Sequence, residues 1–175
     1  MSAIPGLARG ASRWAFPAAL LACVGCDQAT KQAAGLLLES SQRLTLFGDM
    51  LRFELVANPG AFMSLGAGLP ELVRRALLVG LAPALLTAVC LVAVRTGRAS
   101  RLGRVALGLV VGGGLGNWLD RVLHGGAVTD FVSIGVGRFR TGIFNVADVA
   151  IVAGVLLLMM SGRRAPSMDA AREDA

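Results

Sequence analysis

LLVGLAPALLTAVCLVAV, residues 77–94, runs for eighteen positions without a charged side chain. A helix crossing a bilayer's hydrocarbon core of about 30 Å needs roughly 20 apolar residues, so this stretch, extended back to Leu72, reads as a membrane span. Three more segments come near that length: 14–32, 101–119 and 144–162. Arg101 and Arg104 open the third and can snorkel from its first turn. The 175 residues are 55% hydrophobic and 16% charged, with a mean hydropathy of +0.68, too apolar for an ordinary soluble domain. The predicted fold is an all-α polytopic membrane protein with four transmembrane helices and a small extracytoplasmic β-hairpin.

An even number of spans places both termini on one side of the membrane. The ends and the middle connection carry Arg9, Arg13, Arg95, Arg98, Arg101, Arg104, Arg163, Arg164 and Arg172 against Asp169, Glu173 and Asp174. Totals of 17 Lys and Arg and 11 Asp and Glu leave eight of each sign elsewhere, so the whole excess of +6 lies on that face. By the positive-inside rule it is cytoplasmic, and the loops 33–71 and 120–143 face outward. Arg74 and Arg75, at the outer start of the second span, work slightly against this. The basic residues flank apolar segments and do not alternate with aromatics, so they point away from nucleic acid. The expected division is a cytoplasmic segment 1–13, a four-helix membrane domain 14–162 and a polar, dispensable cytoplasmic tail 163–175.

In the first outer loop Leu51, Phe53 and Leu55 alternate with Arg52 and Glu54, after Leu44, Leu46, Phe47 and a Gly48-Asp49 turn. That pattern predicts an amphipathic hairpin on the outer membrane surface. Cys23, Cys26 and Cys90 all sit in apolar stretches and read as small buried hydrophobes. Cys23 and Cys26 have C-x-x-C spacing, but no second ligand pair exists and His124 is far along the chain, so no metal, disulfide or cofactor is expected. Arg9, Arg13 and Leu20-Leu21-Ala22-Cys23 together look like a lipoprotein signal peptide. Cleavage at Cys23 would remove most of the first span and break the even topology, so the segment is read as a retained helix.

Ionisable groups beside hydrocarbon are costly and therefore functional candidates: Asp27, Lys31, Asp120, Asp130 and Asp148. Asp27 and Lys31, four apart, face one another and read as a structural pair. Gly112-Gly113-Gly114-Leu115-Gly116 would admit a neighbouring helix or an extended substrate backbone. Helix packing explains these glycines but not Asn117, Asp120 and Arg121 on one face behind them, although Asp120 with Arg121 is also readable as a local ion pair. Asn145 and Asp148 share a face at the start of the fourth span. No cation lies within a turn of Asp148, and the acid able to converge on it is Asp130, with the glycine-rich residues 133–142 read as a flexible loop folding back. Two adjacent carboxylates share one proton and can run acid and base catalysis of hydrolysis. Ser64 and Ser133 lack a histidine partner, and the cysteines lack a base. The pair would serve equally as a proton or cation relay in a small transporter, and a non-catalytic scaffold is a third reading.

Five ordered blocks resemble the bacterial lipoprotein signal peptidase (signal peptidase II) family. They are Asp27-Gln28-Ala29-Thr30-Lys31, Asn58-Pro59-Gly60-Ala61-Phe62, Gly112-Gly113 to Gly116-Asn117 with Asp120-Arg121, Val128-Thr129-Asp130-Phe131, and Phe144-Asn145-Val146-Ala147-Asp148. The resemblance implies an aspartic endopeptidase with Asp130 and Asp148 as the dyad, and Asn58, Asn117, Arg121 and Asn145 positioning substrate beside Gly60. Asp27, Lys31 and Asp120 would support the site. It implies a substrate, the diacylglyceryl-modified prolipoprotein cut on the N-terminal side of its lipobox cysteine, and inhibition by globomycin-type cyclic peptides. It implies the bacterial inner membrane as location and membrane lipid as surroundings; the span reading itself puts the two acids near the outer leaflet, and nothing in the sequence demands more than a monomer. Presenilin- or prepilin-type peptidases are disfavoured because neither aspartate lies in a G-x-G-D context. The arginine- and glycine-rich stretch between Asp130 and Asp148, and both terminal extensions, depart from the family pattern.

Overall fold

A computed structural model describes residues 14–38, 43–61, 65–95 and 100–162. The predicted segment 1–13, the tail 163–175, Arg98, Phe62 and Ser64 lie outside them.

Helix α1, Ala15–Leu37, is 23 residues long. It is rich in alanine, and Pro17 falls in its first turn, where the missing N–H has no intrahelical partner to lose. It runs five residues beyond the predicted end at Gln32. The second rod is irregular, with α2 Glu71–Arg75 leading into a π-helical segment Ala76–Leu81 and then α3 Ala82–Arg95. Pro83 explains a polar defect here, since it offers no N–H to the carbonyl of Val79, four residues earlier. Trp118 supplies the donor, its indole Nε1 lying 3.0 Å from Val79 O. Helix α4, Arg101–Leu123, starts at Ser100, whose hydroxyl accepts from Gly103 N at 3.1 Å. Helix α5 is Val146–Gly162.

Glu71–Leu91 and Arg101–Leu123 are long and apolar enough to cross a membrane, with mean hydropathies of 1.7 and 1.2, and Val146–Ser161 is a shorter apolar helix. No residue of α2 or of the π-helical segment is buried. That suits a rod surrounded by lipid.

Helices α1, α4 and α5 pack through small residues. A Cβ added at Gly112 would lie 2.9 Å from both Cys23 Cβ and Leu20 O of α1, and one at Gly113 would meet Ala147 O of α5 at 2.5 Å. Of the two occupants foreseen for these glycines, these two positions hold helices. Close backbone approach is the usual means of helix association where the surroundings are as apolar as the helices.

Two long connections between helices build one antiparallel sheet in the order β1-β2-β3-β4, from β1 Leu44–Leu46, β2 Leu51–Asn58, β3 Val128–Val136 and β4 Phe139–Arg140. The predicted hairpin is β1–β2, turning through Phe47, Gly48 and Asp49 with positive φ. Residues 133–142 are not the loop expected of them. Val132, Ile134 and Val136 alternate with Ser133 and Gly135, and β3 pairs with β2 on one side and β4 on the other. Gly135 serves the strand itself, because a Cβ there would sit 3.0 Å from Arg140 Cζ. The expected all-α fold with a small hairpin is therefore extended to helices carrying a four-stranded sheet, of which that hairpin is one edge. Register places Leu44, Leu46, Leu51, Phe53, Val132, Ile134, Val136 and Phe139 on one apolar face, and Arg52 and Arg140 on the other, where both bond Asp49.

Gly112→Ala is expected to lower thermal stability in detergent by about 1–3 kcal/mol through overpacking. Gly25→Ala, where nothing lies within 4 Å of the added methyl, serves as the comparison and should lose nothing. Equal melting temperatures for both variants would refute the close-packing account.

Candidate active site

The site is built outward from a buried cation. Lys31 lies on α1, with its Nζ 2.7 Å from Asp27 Oδ2, 3.0 Å from Asp120 Oδ2 and 3.0 Å from Asn117 Oδ1. An ammonium has three hydrogens and no acceptor, so these three oxygens satisfy it fully. The side chains of Lys31, Asp27 and Asp120 are 5%, 0% and 1% exposed. Their remaining oxygens are also occupied. Asp27 Oδ1 accepts from Ala147 N of α5 at 2.9 Å, while Asp120 accepts from Gln28 Nε2 at 3.0 Å and Thr129 N at 2.9 Å. Asp120 therefore pairs with Lys31 and not with Arg121, because adjacent helical residues point about 100° apart. Gly116 makes room for the cluster, since a Cβ there would lie 2.6 Å from Asp27 Oδ2. Gln28 and Thr129, whose place in the sequence motifs suggested no role, close the network.

Three asparagines surround the two candidate catalytic acids, and a donor fixes the orientation of each amide. Asn117 Oδ1 faces Lys31, which can only donate, so its Nδ2 points to Asp148 Oδ1 at 2.9 Å. Asn58 ends β2 in an Asn-Pro-Gly turn. Its Oδ1 accepts from Gly60 N at 2.9 Å, leaving Nδ2 for Asp130 Oδ2 at 2.8 Å. Asn145 caps α5, with its Oδ1 taking Asp148 N at 3.0 Å and its Nδ2 reaching Asp130 Oδ1 at 2.6 Å. Asp148 returns the cap by accepting Asn145 N on Oδ2 at 3.2 Å. This reciprocal arrangement is a capping box in which the acid occupies the third helical position. Asp130 and Asp148 are thus joined through one residue, Asn145.

Arg121 spans the far side. Its Nη2 donates to Gly60 O at 2.6 Å and its Nη1 to Asn117 O at 3.0 Å, tying the 58–61 turn to α4. Its Nε is buried without a hydrogen-bond partner among the described residues. Burial is the main influence on Asp130 and raises its pKa to about 6. The nearby Asp148 charge adds to the rise, whereas the bonds from Asn58 and Asn145 oppose it. A cleft of about 530 Å³ opens beside Asp148 between α3, α4 and α5, lined by Ala61, Leu86, Asn117, Trp118, Arg121 and Ile151 among others. All ten residues singled out in the sequence fall within this one assembly. Three groups can be distinguished, with Asp130 and Asp148 at its centre, the asparagines bonded to them, and Lys31, Asp27 and Asp120 behind.

The family model described as signal peptidase (SPase) II matches residues 19–163. The lipoprotein signal peptidase of Methylorubrum extorquens (strain PA1) is 43% identical over 169 residues, covering 87% of this chain and 90% of that protein. The lipoprotein signal peptidase of Treponema denticola is 34% identical over 130 residues, covering 72% and 75%. A bacterial membrane enzyme structure obtained by the in meso method at 2.3 Å resolution shares the fold with a TM-score of 0.72 at 24% identity, covering 95% of this chain and 93% of that one.

Lys31→Met should leave Asp27 and Asp120 buried without their cation and destabilise the protein by about 3–5 kcal/mol. Adding Asp120→Asn to that variant should restore part of the loss. A double variant no more stable than the single one, by thermal denaturation in detergent, would contradict the assigned pairing.

Proposed function

The chain belongs to the signal peptidase II family, membrane peptidases that remove signal peptides from prolipoproteins, and from that premise we propose an aspartic mechanism with Asp130 and Asp148 as the catalytic pair. The cut falls on the N-terminal side of a lipobox cysteine that already carries diacylglycerol. The observation that carries this reading is the double attachment of Asn145, side chain to Asp130 and main chain to Asp148. One carboxylate takes a proton from water as the water attacks the scissile carbonyl. The other, protonated, donates to the carbonyl oxygen and then a proton passes to the leaving amine. Preset donors from Asn58, Asn117 and Asn145 hold both acids in place without reorganisation during the reaction. Asn58, Gly60, Asn117, Arg121 and Asn145 also position substrate, and the unpartnered Nε of Arg121 supports a role in meeting its backbone.

In the same reading the membrane domain is 14–162, with four spans in the bacterial inner membrane and both termini cytoplasmic. The sheet then lies at the outer leaflet, where its apolar face meets lipid. The positive charges of the termini and of the 95–104 connection support this orientation. The enzyme acts as a monomer, and globomycin-type cyclic peptides compete for the cleft beside Asp148.

Asp130→Asn and Asp148→Asn should each reduce cleavage of a lipidated prolipoprotein in detergent at least about a thousandfold, with melting temperature retained. Mass spectrometry of the product reads the cleavage position. Substantial turnover in either variant would remove that residue from the dyad.

Asp130 holds its proton to higher pH than an ordinary aspartic acid, so the singly protonated pair persists until pH rises through about 6. There kcat/KM, which reports the free enzyme, should fall. Asn58→Ala removes a donor that favours the carboxylate, so the midpoint of this limb should move upward. A midpoint that stays or falls would dissociate Asn58 from the catalytic proton.

A further inference from the structure

Asp148, Val152 and Leu156 recur every four residues along α5 and therefore form a single ridge with Asp148 at its head. Val152 and Leu156 are about half exposed. The cleft beside Asn117 and Arg121 runs down one flank of this ridge. A second groove of about 320 Å³ runs down the other, lined by Val149 and Ala153 below and by Gly142 and Phe144 above. Asp148, Val152 and Leu156 border both.

We propose that this second groove binds an acyl chain of the diacylglyceryl group on the substrate cysteine, while the first cleft takes the signal peptide. The assignment rests on the peptidase reading above and gives each side of the scissile bond its own path. That bond has an apolar group on both sides, a signal helix on one and a lipidated side chain on the other. Both must return to the same hydrocarbon layer from a carbonyl held at Asp148, and a ridge with an apolar groove on each flank separates them.

Chemistry decides which groove takes which. Backbone unwound for cleavage needs hydrogen-bond partners away from water, and Asn117 and Arg121 lie in the first cleft. The second offers Thr141 and Asp148 at its head and only apolar lining and glycine elsewhere, which suits a chain with no polar atom.

The test compares two synthetic prolipoprotein peptides whose cysteine carries either dihexanoyl or dipalmitoyl glycerol, cleaved by the full chain in detergent. Ala153→Phe fills the groove. Val149→Phe, at a position 52% exposed, provides a second variant that folding should tolerate. Each should lower kcat/KM for the dipalmitoyl substrate at least about tenfold more than for the dihexanoyl one, while Leu86→Trp in the first cleft lowers both alike. Equal losses for the two substrates in the groove variants, or chain-length dependence that follows Leu86→Trp, would overturn the assignment. So would no effect at all, as expected if the groove holds only bilayer lipid. Failure of the parent protein to cleave either peptide would instead refute the peptidase reading, a separate and visible outcome.

Discussion

A buried ammonium cannot accept a hydrogen bond and cannot be left without partners, and the interior end of this molecule is arranged around that restriction. Lys31 brings oxygens from α1 and α4 to within 3.0 Å, and Asp27 extends the contact to the first turn of α5. A medium of low dielectric makes the loss of any partner expensive. The three helices that surround the site are held in register by charge as well as by the close approach of Gly112 and Gly113. At these glycines the backbones nearly touch, and this proximity is also what lets one lysine reach across.

The same one-way logic passes to the two candidate acids, Asp130 and Asp148. An amide can be turned over with little change in shape, yet neither Asn117 nor Asn145 is free to turn, since the first faces Lys31 and the second faces a helical N–H. Asn58 is held by the N–H of Gly60. Each therefore offers its NH₂ group to a carboxylate, and the two acids sit among donors whose direction is set elsewhere in the fold. Asn145 does this while starting α5, so helix initiation and acid placement are one event.

Local spacing made some of this legible. The i,i+4 relation of Asp27 and Lys31, the shared face of Asn145 and Asp148, and the charge-free run of the second rod all follow from one helical period. Relations between elements were hidden. Asp120 stands next to Arg121 in sequence, but its ion-pair partner is Lys31 on α1, and no local rule indicates which helix packs beside α4. Gly135 and Gly137 made 133–142 look like a loop, although Val132, Ile134 and Val136 alternate as a strand should. The turn is at Gly137, and Gly135 is the space that Arg140 fills. Pro83 carried a readable signal, a carbonyl at Val79 without its usual donor, but only the fold shows that Trp118 answers it.

The spacing of Asp27 and Lys31 also bears on how such a chain can be made. Helix α1 emerges from the ribosome long before Asp120 exists, and an unpaired charge buried at that stage would be costly. Because the first contact of Lys31 is four residues away on its own helix, α1 is electrically neutral by itself. Asp120, arriving later on α4, then meets a cation already in place, and assembly order is written into a single helical turn.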